Sequence, residues 1–234
     1  MRRPWYAEGA WLAVKDGDVG RLMEALALES QVELHWSRWR TLRFKLKKLT
    51  PEDAALIKVN PKEADAERRR LVFVSPPIDG WRLLVGWRFY ASSWDDAEES
   101  GGTSSHFAEV AKWCRRLSRE FGEAHAFTAD WENGTYAFIL TRQGLVERQF
   151  VDASGDLLID EGEPTAAELP LRRSFDPGLD DLPVWCCYEH PERVAAVAGG
   201  CSVHPSRLEE STESGVLTRC HGDSEAGLSA GAEG

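Results

Sequence analysis

At 234 residues, 42% hydrophobic and 10% aromatic, the chain is long enough to bury a real core, and its ten tryptophans exclude wholesale disorder. The formal net charge of −11 is unevenly held: residues 1–70 carry 15 Lys/Arg against 11 Asp/Glu, the remainder 13 against 28. An acidic body repels nucleic acid, and no run of about 18 apolar residues argues for a membrane span.

Met1-Arg2-Arg3-Pro4 is followed by no apolar signal-peptide core before Lys15 and Asp16. Five cysteines, with Cys186 and Cys187 adjacent, make a poor disulfide framework, so a cytoplasmic location is expected. Trp5, Tyr6, Trp11 and Leu12 are too apolar for a free tail. Asp18 caps a helix with Leu22, Met23 and Leu26 on one face. Residues 31–36 alternate and read as a strand. Leu42, Phe44 and Leu46 alternate with Arg43, Lys45 and Lys47, which predicts a second strand with one basic face. Thr50-Pro51-Glu52-Asp53 starts a short helix, with proline at its first position. Residues 60–70 are polar and charged and form the expected internal boundary.

Leu71-Val72-Phe73-Val74 reads as a strand, and Asp79-Gly80 turns the chain into another over 81–90. Residues 92–104 read as an acidic loop. Ser104 or Ser105 can then cap a helix in which Phe107, Val110, Cys114, Leu117 and Phe121 recur at helical spacing, stopped by Gly122. Beyond Gly122 the period becomes alternating. Asn133-Gly134, Gln143-Gly144 and Ser154-Gly155 separate four strand-like runs down to Asp160, and such short turns force antiparallel neighbours. Thr165 and Glu168 fit a capping box. A small helix over 191–198 is ended by Gly199-Gly200, and from Ser211 the composition predicts a disordered tail.

The expected fold is therefore α+β: a mostly antiparallel sheet of hairpins and a meander packed against one main helix. Residues 1–60 form a small α/β N-terminal extension, 71–210 the main domain and 211–234 the tail.

Gly80-Trp81 with Val85-Gly86, Leu117-Ser118 with Phe121-Gly122, and Gly144 with Arg148 resemble an uncharacterised family of bacterial proteins. Gly162 with Thr165 and Glu168, Val197-Ala198, Ser202-Val203-His204-Pro205 and Leu208 continue the pattern. The resemblance covers roughly residues 71–210 and rests on turn glycines, caps and core aromatics. It implies a stand-alone accessory protein with no known activity, and some such proteins look like immunity proteins for secreted toxins. In that family the position of Cys201 resembles one more often held by tryptophan.

Four candidate sites stand beside plainer readings. Cys187-x-x-His190 and Cys201-x-x-His204 could hold a tetrahedral zinc, though small buried cysteines and loop histidines explain them as well. Asp152, Ser154, Asp156, Asp160 and Glu163 fall at calcium-loop spacing, but Leu157 occupies the place that needs glycine, and a hairpin with an acidic edge is the alternative. Between Arg38 and Lys48 six basic residues interleave with Trp39, Leu42, Phe44 and Leu46, either as a nucleic-acid-binding face or as a solvated edge. Cys114 lies on the apolar helix stripe, two turns from His106, and reads as core.

No Gly-x-Ser-x-Gly elbow, phosphate loop or His-Glu-x-x-His helix occurs. The paired carboxylates Asp95-Asp96, Glu98-Glu99 and Asp180-Asp181 lie in polar runs, and Trp81, Trp87 and Trp131 are either core or partner anchors. The function expected is that of a non-enzymatic acidic interaction protein without cofactor, occluding a basic protein partner such as a toxin. The alternatives are a nucleic-acid-associated protein working through Arg38 to Lys48, or a zinc protein.

Overall fold

A computed structural model describes residues 4–45, 50–57, 59–60, 70–90, 105–153, 156–170 and 191–220. These residues build one nine-stranded sheet, every adjacent pair antiparallel, in the order β2-β9-β3-β4-β1-β5-β6-β7-β8. The strands are β1 (Glu8–Lys15), β2 (Leu28–His35), β3 (Leu71–Val74), β4 (Trp81–Val85), β5 (Glu123–Asp130), β6 (Thr135–Arg142), β7 (Leu145–Ala153), β8 (Asp156–Glu161) and β9 (Ser214–Cys220). The helices are α1 (Val19–Ala25), α2 (Trp36–Lys45), α3 (Pro51–Leu56), α4 (Ser105–Phe121), α5 (Pro191–Cys201) and α6 (Arg207–Glu210). The α+β class with hairpin-built antiparallel pairing is as expected.

Helices cover both faces of the sheet. On one side α4 sets Phe107, Val110, Trp113, Cys114 and Leu117 against Leu12, Val14, Ala126 and Ile139. On the other, Val194, Val197 and Ala198 of α5 and Trp36, Trp39 and Leu42 of α2 close over Trp11, Phe73, Phe127, Phe138 and Phe150. Burying each large side chain in these layers contributes about 1.5–3 kcal/mol. Because both faces are covered, β1 from Ala10 to Val14 and β6 from Tyr136 to Leu140 read as continuous apolar runs rather than as alternation.

Turn chemistry decides the meander. Gln143 (φ 49°) and Gly144 (φ 82°) both lie in the left-handed region, the two-residue turn whose twist matches its strands. Asn133-Gly134 behaves differently. Four residues join Asp130 to Thr135, because the Asp130 carboxylate accepts the backbone N–H groups of Glu132 and Asn133 and the Asn133 amide at 2.6 Å.

Several expectations are corrected. The segment read as a basic strand at Leu42, Phe44 and Leu46 is helical through Lys45, with Trp39 and Leu42 buried on the inner face of α2; Leu46 lies outside the described residues. The strand from Trp81 ends at Val85 and gives way to a 3-10 turn, Trp87–Phe89. Gly199 and Gly200 do not end α5 but lie within it. A Cβ on Gly200 would stand 2.4 Å from that of Ala167, so packing against the 165–168 turn demands glycine there. Residues 214–220, assigned to a disordered tail, are β9, an interior strand between β2 and β3. The 1–60 segment is likewise no appendage, since β1 pairs with β4 and β5 at the centre of the sheet.

Candidate functional site

The β7–β8 margin combines a buried charge centre with an exposed apolar residue, Leu158. Arg148 sits on β7 with 1% of its side chain exposed, and Glu168, at 0%, faces it from the 165–168 turn. The Arg148 Nε and Nη2 donate to the Glu168 carboxylate at 3.1 and 2.9 Å, and Nη1 donates to the carbonyls of Gln149 and Glu161 at 3.1 and 3.0 Å. Nη1 also pairs with Asp160. Burial alone would weaken the guanidinium charge, but the bonds and attraction of Glu168 and Asp160 prevail and hold its pKa above the usual value.

Glu168 serves a second purpose. Its Oε1 accepts the Thr165 N–H at 2.8 Å while its own N–H donates to the Thr165 hydroxyl, which is the expected capping box closed onto a buried cation. Gly162 (φ 86°) lets the chain turn from β8 toward this box, because a Cβ there would lie 2.1 Å from the Glu147 carbonyl oxygen.

Outside this anchor, β8 is one of the two edge strands of the sheet among the described residues, β2 being the other. Val151 pairs with Ile159 and Asp152 with Leu157, so Leu158 is an extra, bulged residue, 46% exposed. Leu145, at 71%, opens β7 opposite Arg142 of β6, and Leu169, at 43%, follows the 165–168 turn. Asp156, Glu161 and Glu163 are exposed. Asp160 is engaged by Arg148, and Glu161 accepts from the Gln149 amide at 2.8 Å.

A second polar centre lies where β5 meets the end of α5. The His125 Nδ1 accepts the Thr141 N–H at 3.2 Å, next to the register shift between Leu140 and Thr141. Its ring packs on Trp81 and its backbone-directed contacts include Ala124 and Cys201. Burial pushes its pKa down to about 4. Glu123 is 3.8 Å away and bonds Lys15 at 2.7 Å. Burial raises its carboxyl, but Lys15 and Arg142 outweigh that and hold it low.

The residues singled out from sequence fare unevenly. Cys187 and His190 lie outside the described residues. Cys201 ends α5, where burial raises its thiol and the Thr165 side chain is its hydrogen-bond partner. His204 bonds the Ser206 hydroxyl at 2.7 Å and meets the Tyr6 ring edge-on. Asp152, Asp156, Asp160 and Glu163 do not form a calcium loop: antiparallel pairing spreads the first three along two strands, Glu163 lies past the end of β8, and Asp152 is buried. Ser154 is outside the described residues. Among the described residues no three His, Cys, Asp or Glu side chains converge as a metal site would require.

Toward nucleic acid, Arg38 pairs with Asp53 and Arg40 with Glu209, so two of the α2 cations are matched within the protein. Cys114 is buried with its thiol pKa driven far up, and His106 contacts Trp113 and Glu109 instead. Trp81 is buried, Trp87 half-buried and Trp131 41% exposed. Asp95, Asp96, Glu98, Glu99, Asp180 and Asp181 lie outside the described residues. A cleft lined by Gly9, Trp39, Arg43, Gly86, Trp87 and Tyr90 has room for about one water molecule.

Sequence reasoning missed the Arg148–Glu168 pair and the buried His125. The capping box was visible in the sequence, and Arg148 shares a strand with the core residue Phe150. Nothing local joined two residues twenty apart.

The geometry defines a helix-covered antiparallel α+β protein with an acidic sheet edge that no strand pairs among the described residues. No protein-family model matches this chain, and comparisons with curated proteins and with solved structures return no match either.

Proposed function

We propose that this is a non-enzymatic acidic interaction protein that binds and occludes a basic protein partner in the cytoplasm of a bacterium, in the manner of an immunity protein against a toxin. One observation carries this reading: Leu158 and the acids Asp156, Glu161 and Glu163 lie together on and just beyond the edge strand β8, held in place from behind by Arg148. Interfaces of this kind combine apolar anchors with a charged rim, and complementary charge speeds association with a cationic partner. The 13 to 28 imbalance of Lys/Arg to Asp/Glu beyond residue 70 supplies the long-range field. Among the described residues no helix is long and apolar enough to cross a membrane, which is compatible with this reading.

The test is capture of cationic toxins and nucleases on the immobilised chain. A subset should be retained at about 50 mM salt and released by about 500 mM, as screening shortens the reach of the field. Retention that ignores salt, or uniform failure to retain any cationic protein, refutes the reading.

A further inference from the structure

The structure assigns the outer edge of β8 as a docking site for an extended basic peptide segment, taken up as an added strand of the sheet. This rests on the acidic-interaction reading and names the partner's chemistry and its mode of binding. Among the described residues no strand pairs with that edge. A terminal strand leaves a row of backbone N–H and C=O groups unpaired within the sheet, which is a template for another chain.

Charge selects the occupant. Over Asp156, Leu157, Leu158, Ile159, Asp160, Glu161, Gly162 and Glu163 there are four acids and no base. Arg148 is shared between Glu168 and Asp160, a group of net charge −1, while Asp156, Glu161 and Glu163 form no ion pair with a cation among the described residues. A second copy of this chain is a poor occupant. Antiparallel self-pairing centred on β8 would set Asp156 of each copy against Glu161 of the other, and like charges directly opposite destabilise a sheet. A segment alternating Lys or Arg with an apolar residue reverses every one of those signs and offers cover to Leu158. The anchor behind the strand matters too. Arg148 fixes Asp160 and the Glu161 carbonyl, so the edge is presented already ordered and little entropy is lost on binding.

The experiment uses the full chain and three fluorescein-labelled ten-residue peptides, read by fluorescence anisotropy at low salt. One alternates Lys and Val, one alternates Glu and Val, and the third is the Lys/Val peptide methylated on the backbone nitrogens of its central residues. The Lys/Val peptide should bind and the Glu/Val peptide should not. Backbone methylation should weaken binding by about tenfold or more, since several hydrogen bonds are lost at once. The double variant Asp156→Lys/Glu161→Lys should exchange the preference of the two unmethylated peptides. Equal binding of methylated and unmethylated Lys/Val peptides would overturn strand addition while leaving the acidic-interaction reading intact. No peptide binding, with whole basic proteins still retained in a salt-sensitive way, would also place the site elsewhere than β8. Loss of both would remove the underlying reading itself. A dimer in sedimentation that the double variant dissociates would overturn the assignment, since a copy would then occupy the edge.

Discussion

Replacing Arg148 with methionine keeps much of the volume beneath β7 and β8 and deletes the charge. It leaves the Glu168 carboxylate, wholly buried, without the two guanidinium bonds at 3.1 and 2.9 Å. Exposed ion pairs contribute about 0–1 kcal/mol, but breaking a buried one costs about 3–5 kcal/mol because the remaining ion has lost its compensation. Arg148→Met is expected in that range. Glu168→Gln should cost less, about 1.5–3 kcal/mol, the span for a hydrogen bond to a charged group. The amide oxygen can still accept the Thr165 N–H, and Arg148 keeps Asp160 and its backbone carbonyls. The double variant should be less destabilised than the sum of the two, by at least about 1 kcal/mol, because the singles share one lost interaction. Urea unfolding followed by tryptophan fluorescence gives all three values. An Arg148→Met loss below about 1 kcal/mol at unchanged slope, or strict additivity, would show that the pair is not the anchor of this edge.

Three further predictions concern the rest of the fold. His125 is held neutral by burial with a pKa of about 4 against its ordinary 6.5, so the unfolded chain takes up that proton first as pH falls. Its contribution is complete above about pH 6.5 and is lost progressively down to about pH 4, worth roughly 3 kcal/mol in all. Glu123 adds loss in the same direction. The difference between wild-type and His125→Gln unfolding curves at pH 7, 5.5 and 4.5 isolates the histidine, and a constant difference would contradict its buried neutral state. Gly162→Ala forces a side chain into the left-handed region and against the Glu147 carbonyl oxygen. It should destabilise by about 1–3 kcal/mol or more, and a neutral effect in thermal melts would dismiss the constraint. Truncation after Ser211 removes β9 from between β2 and β3 and should abolish cooperative unfolding; a truncated chain that melts like the intact one would mean that β9 is dispensable.

How far local signals carried is clear from particular residues. Asp18 accepts the Arg21 N–H, Thr50 that of Asp53, and Gly122 stops α4 at φ 87°, all as their chemistry requires. The stripe from Phe107 to Leu117 is buried as its period demands. Where local signals were ambiguous, tertiary packing decided. Trp39 and Leu42 are three apart, on one face of a helix, and the alternating charges around Leu42 and Phe44 imitated a strand. Ser214 to Cys220 looked too polar to order, yet neighbours on both sides satisfy its backbone.

From the chain alone came what depends on neighbours in sequence: caps, turns, the period of α4, the antiparallel meander and the sign of the charge. Packing alone determined what depends on residues far apart, namely the central place of β1, the insertion of β9, the cover of both sheet faces and the pairing of Arg148 with Glu168. The physical reason is range. A cap or turn is satisfied within about four residues, whereas a buried charge is tolerated only where a distant segment brings its counterion.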